Sequence, residues 1–204
     1  MARIAFVIGV AAWIAAPALT AQQSSPAPGS RISTAVKCAA DLGRGEKSRR
    51  QFCDVLVSGA GPQSIVVPVP AHSGDATLMF DLHNRFTVPA QSLAPADAFS
   101  RQSALVAVVG PAGQVIGRGA VSREYRTLDD LFDRIGGGGA AGGVKAVAPG
   151  YAEPVRVAVP EAVSVVSIVG LRLEEESKSG PAVYDAPGRP VALASNFRIE
   201  YIPR

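Results

Sequence analysis

The chain has 204 residues, 48% of them hydrophobic and 18% charged, which is enough apolar material to bury one large core or two small ones. Its 20 basic and 17 acidic residues leave a formal charge of +3, too small a balance to make nucleic acid or an anionic membrane the main partner.

The first residues read as an export leader. Arg3 supplies the positive start, Ile4 to Ala16 is a short apolar run, and Pro17 to Ala21 offers small residues to a signal peptidase. Cleavage is expected after Ala21, with Ala16-Pro17-Ala18 as the competing site. About 13 apolar residues cannot cross roughly 30 Å of hydrocarbon as a helix, so no transmembrane anchor is expected once the leader is removed. The expected location is therefore the periplasm or the cell exterior, and the only tryptophan, Trp13, would leave with the leader. Gln22 to Ser30, rich in Ser and Pro, reads as a disordered linker, and residues 31–204 as a single domain.

From Arg31 the alternation of Ile32, Thr34, Val36, Cys38, Ala40 and Leu42 predicts one half-buried strand. Gln51 to Ser58 is its expected antiparallel partner. Setting Cys38 opposite Cys53 also sets Ala40 against Gln51, Val36 against Val55 and Thr34 against Val57, so one register aligns the apolar faces and the thiols. Opposed Cα atoms lie about 4.5 to 5.5 Å apart, within reach of a disulfide, and an exported chain with two cysteines is expected to form one. A metal or redox site is disfavoured, because CxxC spacing and nearby histidines are missing. Between the cysteines lies the densest basic cluster. Arg44, Lys47, Arg49 and Arg50 form either a solvated hairpin tip or a contact for an anionic surface such as a lipid headgroup, an acidic glycan or an acidic protein face.

Pro68 and Pro70 cannot donate to a ladder, so Ser64 to Val69 is expected as a short edge strand, whereas Ala76 to Leu82 has the character of a central one. Asp81, His83 and Arg85 share a parity at its end. Residues two apart on a strand are roughly 6.5 to 7 Å apart, too far for a direct triad hydrogen bond, so a polar strand terminus is the expectation. His72 lies in a turn without an obvious partner. Leu93 to Ser100 is expected as a loop or a single helical turn leading into the next hairpin.

Ala104 to Ser122 predicts the central hairpin. Pro111 and Gly113 specify a three-residue turn closed by Gly110 and Gln114, which would place Val109 opposite Val115, Ala107 opposite Gly117 and Leu105 opposite Gly119. Glycines there leave room for something to press close to the sheet. Thr127 to Ile135 predicts one short helix, with Leu128, Leu131, Phe132 and Ile135 on a stripe that must lean on a sheet. Gly136 to Gly143 lacks the Lys-Ser/Thr of a phosphate loop and reads as a linker. Pro154 to Val159, Val163 to Leu173 and Val191 to Ile202 are further strands, and Glu174 to Glu176 are expected as a solvated turn between them.

Many short alternating runs, a single helix and no βαβ order predict an all-β chain: an antiparallel β-sandwich, broadly immunoglobulin-like, with one short helix. No spaced nucleophile, base or metal set is visible, so the expectation is an exported, non-enzymatic structural or interaction module without cofactor or metal, its partner an unknown protein or envelope component. The alternative is a carbohydrate-binding β-sandwich module. It would need Tyr125, Tyr151, Tyr184 or Tyr201 exposed together on one face. An enzyme would require Asp81, His83 and a distant residue to converge in a pocket.

Overall fold

The computed structural model describes residues 29–87, 99–127, 130–135, 145–147 and 151–204. The leader, most of the linker, most of the Leu93 to Ser100 loop and the Gly136 to Gly143 segment lie outside the described residues.

Among those residues the chain forms β1 (Ser30–Ser33), β2 (Asp41–Arg44), β3 (Gln51–Leu56), β4 (Ile65–Pro68), β5 (Ala76–His83), β6 (Arg85–Thr87), β7 (Ser100–Val109), β8 (Val115–Tyr125), β9 (Arg134–Ile135), β10 (Lys145–Val147), β11 (Glu153–Val159), β12 (Val165–Ser177), β13 (Gly180–Tyr184) and β14 (Pro190–Tyr201). One sheet has the order β11-β5-β14-β3-β2, with β1 joining the far half of β14. The other has the order β13-β12-β7-β8, with β4 joining β12. A small sheet, β6-β10-β9, stands beside them. The strands pair antiparallel, apart from one isolated parallel bridge between Val57 and Gly170, and the two large sheets face each other as a β-sandwich.

The alternating residues read as apolar faces meet between the sheets. Val55, Leu78, Phe80 and Ile199 of one sheet share a core with Val106, Val108 and Ile168 of the other. Each such side chain contributes about 1.5 to 3 kcal/mol on full burial. As expected, β5 is central and β4 short and at an edge.

The central hairpin closes as its sequence specifies. The Gly110 N–H donates to the Gln114 carbonyl at 2.9 Å, Gly113 sits at φ 79°, and Val109 stands opposite Val115. A bulge at Val108/Val109 then shifts the register by one, so that Gly117 pairs with Val108 and Gly119 with Val106. Both glycines thereby face the core. A Cβ on Gly117 would lie 2.7 Å from Val157 Cγ1, and one on Gly119 2.9 Å from Val155 Cγ2. What presses close is thus β11, the edge of the opposite sheet.

The strand expected from Ile32 to Leu42 is three pieces. β1 pairs with β14, Lys37 bridges to Val66 of the second sheet, and β2 returns to pair with β3. Its even alternation is satisfied by different neighbours in turn. The Cys38–Cys53 disulfide is formed with a Cα–Cα distance of 5.5 Å, yet Asp41 stands opposite Cys53 and the Ala40 carbonyl accepts from the Asp54 N–H. The predicted all-antiparallel register for the two cysteine strands is therefore replaced by a cross-link from the crossing segment to β3.

The short helix is also replaced. The Asp130 N–H donates to the Thr127 carbonyl in a single turn, after which Arg134 and Ile135 enter β9 and Ile135 bridges to Gly45. A helix of about two and a half turns is marginal on its own, and strand pairing, the local bonds to Asp130 and the tertiary bonds to Asp133 outcompete it. The stripe still leans on a sheet, since Ile135 and Phe132 cover Leu42, Phe52 and Leu193 on the outer face of the first one. Glu174 to Glu176, expected as a turn, lie within β12. They pair with Arg101 to Ser103 on one side and with β13 on the other.

Candidate functional site

Asp81 and His83 stand on the outer face of β5, because Leu78, Phe80 and Leu82 take the inner one. Each member of the predicted trio has its own partner. Asp81 Oδ2 accepts from Arg50 Nη1 at 2.6 Å and from Asn196 Nδ2 at 2.9 Å. Asn196 sits at φ 56° within the irregularity of β14 between Ser195 and Arg198. Arg85 Nε donates to Asp54 Oδ1 at 2.8 Å. His83 Nε2 lies 3.1 Å from Ser195 Oγ, between the rings of Phe52 at 5.5 Å and Phe132 at 5.2 Å.

Burial, opposed by nearby Asp81 and reinforced by Arg50, holds the His83 imidazole down to about 4. It is therefore neutral over the physiological range. A serine beside a neutral histidine has the chemistry of an activated nucleophile. Here Ser195 is 0% and His83 1% exposed, so no substrate carbon can come within about 3 Å of the hydroxyl in this arrangement. The pair ties β5 to β14 beneath Phe132.

The basic hairpin between β2 and β3 is built differently from a free tip. The buried Asp133 carboxylate reaches into it and accepts the N–H groups of Lys47 at 2.9 Å and Ser48 at 2.8 Å, together with that of Arg134 at 2.7 Å. A Cβ on Gly45 would collide with Asp133 Oδ2, so the glycine admits the carboxylate. Two more bonds fix the loop. Gly45 N–H donates to the Arg50 carbonyl at 2.9 Å, and Glu46 N–H to the Arg134 carbonyl at 2.7 Å. Burial works against the ionised carboxyl, but the Ser48 hydroxyl and the three amides outweigh it and keep Asp133 below the usual carboxylate range.

The four predicted basic residues consequently divide. Arg50 turns inward to Asp81 and lies 5.6 Å from the Phe132 ring centroid. The side chains of Arg44, Lys47 and Arg49 are exposed, and their charged groups have no hydrogen-bond or ion-pair partner among the described residues. Sequence reasoning placed the cluster but missed its clamp, because Asp133 fell on the polar side of an expected helix and nothing in the spacing links it to Gly45.

Surface hollows lie elsewhere among the described residues. One, of about 380 Å³, is lined by Pro70, His72, Glu161, Ser164 and Arg204. His72 Nδ1 lies 2.7 Å from the Pro70 carbonyl oxygen, and Arg204 pairs with Glu161 at 2.5 Å, holding that carboxyl below its usual range. Another, of about 350 Å³, is lined by Arg101, Glu174 to Glu176 and Val183. Its charges are largely paired, Arg101 with Glu176 and Arg172 with Glu174. Among the described residues no three His, Cys, Asp or Glu side chains gather as a metal site, and no helix is long and apolar enough to cross a membrane.

The tyrosines lie on different elements, and Tyr201, at the end of β14, is partly buried against the core. Tyr151 is 89% exposed, Tyr184 lies under the Arg189 guanidinium at 4.4 Å, and Tyr125 is buried against Phe86. Compared with protein-family models, curated proteins and solved structures, the chain matches none.

Proposed function

We propose that this chain is an exported, non-enzymatic interaction module whose clamped Gly43 to Arg50 loop meets an anionic partner in the cell envelope or periplasm. The observation that carries this reading is Asp133, which holds the loop backbone while Arg44, Lys47 and Arg49 stand exposed without an acid of their own. A loop fixed in advance loses less conformational freedom on binding, and unpaired cations give up no internal ion pair to do so. The leader-like start and the disulfide support export.

The test compares the native protein with an Arg44→Glu/Lys47→Glu/Arg49→Glu variant, on vesicles containing an anionic lipid and on an immobilised acidic polysaccharide. Retention of the native chain by one of these, with release of the variant at much lower salt, supports the reading. Equal behaviour of the two proteins on both contradicts it.

A further inference from the structure

A second cationic feature lies away from the loop. On the outer face of the first sheet, Met79 of β5 is flanked in one row by Arg156 of β11 and Arg198 of β14. The Cα atoms of the two arginines are two strand spacings apart, about 10 Å, well within the combined reach of their side chains. Met79 is only 4% exposed although it faces outward, as expected if aliphatic arginine stems lie across it.

Neither guanidinium has a hydrogen-bond or ion-pair partner among the described residues, and Arg198 Nε is buried without an acceptor. The acids that border the row are already engaged. Asp81, two residues along β5, is held by Arg50 and Asn196, and Glu200, two residues along β14, is bound by Arg31 at 2.6 Å and also feels the charge of Arg156. Two like charges held over one apolar residue repel each other, and an anion between them removes that cost.

The form of the site selects the anion. A carboxylate is satisfied by one guanidinium fork, whereas a tetrahedral oxyanion has oxygens enough for two forks approaching from opposite sides. We propose that Arg156 and Arg198 bind a tetrahedral oxyanion, phosphate or sulfate, above Met79. Neither arginine belongs to the loop of the proposed function, whose Arg50 touches the site only through Asp81 at its border.

The experiment is an NMR titration of the arginine Nε–H resonances of the native chain with sodium phosphate, sodium sulfate and sodium acetate, with sodium chloride holding ionic strength constant. The Arg198 signal, identified by its loss in Arg198→Met, is expected to shift saturably with phosphate, with sulfate or with both. The two arms tell which anion is preferred. Acetate is expected to act at least tenfold more weakly. Arg156→Gln, a change at an exposed position of an edge strand, is expected to weaken binding at least tenfold, and Arg49→Glu to leave it unchanged. Shifts that never saturate, that are equal with acetate, or that persist in Arg156→Gln overturn the proposal. Because Arg49→Glu alters the loop alone, failure here is distinguishable from failure of the proposed function.

Discussion

Replacing Gly117 by alanine tests the close approach of the two sheets. The added Cβ would stand 2.7 and 2.8 Å from the γ carbons of Val157, where carbon atoms normally rest about 3.5 to 4.0 Å apart. Val157 is 5% exposed and belongs to the shared core, so its methyl groups have little space into which to retreat. Overpacking of this kind costs about 1 to 3 kcal/mol, and the lower entropy of an unfolded chain with alanine returns about 0.4 to 1 kcal/mol. The net loss should be about 1 to 2 kcal/mol, a fall in Tm of roughly 2 to 8 °C for a domain of this size. Val157→Ala alone should cost about 2 kcal/mol, through two lost methyl groups and a small cavity. In the double variant the new Cβ enters the vacated space. Its cost should therefore fall short of the sum by about 1 kcal/mol or more, measured by urea unfolding in a double-mutant cycle. Strict additivity, or a Gly117→Ala protein as stable as the native one, would refute the packing described for β8 and β11. Gly59→Ala, whose Cβ would meet nothing within 4 Å, serves as the control and should be neutral or slightly stabilising.

The remaining predictions concern the polar groups and the cross-link. The unfolded imidazole of His83 titrates near 6.5 and the folded one at about 4, so the unfolded chain takes up the proton first as pH falls. Its contribution is complete above pH 6.5, drains away between 6.5 and 4 and is constant below, a loss of about 3 kcal/mol that His83→Gln should remove from the stability profile. A native profile that stays flat across that window would contradict the buried neutral ring. Asp133→Ala strips the acceptor from the Lys47 and Ser48 amides and should cost about 1 to 3 kcal/mol, with faster hydrogen exchange at both amides. Unchanged exchange there would mean that the loop is held by something else. Reducing Cys38–Cys53, which closes a separation of 15 residues, should lower stability by about 3 kcal/mol on the loop-entropy model, read as a drop in Tm, and an unchanged Tm would contradict that role.

Much of the sandwich was legible because side-chain alternation is a local signal. Val155, Val157 and Val159 on β11, or Leu78 and Phe80 on β5, declare one buried face without reference to their partners. The hairpin turn was legible too, since Pro111 and Gly113 carry their own backbone preferences. The bulge at Val108/Val109 was not, because it depends on which strand crosses the glycines from the opposite sheet. The same limit applies to Ile32 to Leu42, where an unbroken parity hides a chain that changes sheets at Lys37. The stripe from Thr127 to Ile135 has helical spacing, but Phe132 and Ile135 reach the same surface from a turn followed by a strand. Of the candidate site, the sequence showed four basic residues and two cysteines. It did not show that Asp133 clamps the loop or that Arg50 belongs to Asp81, since those contacts span 31 residues or more.

The most direct measurement is recovery of partners from envelope extract by the immobilised native chain, set beside the Arg44→Glu/Lys47→Glu/Arg49→Glu variant at matched fold stability. The account predicts an anionic component that the native chain retains, that rising salt releases and that the variant fails to retain. Recovery of the same components in the same amounts by both proteins would contradict it.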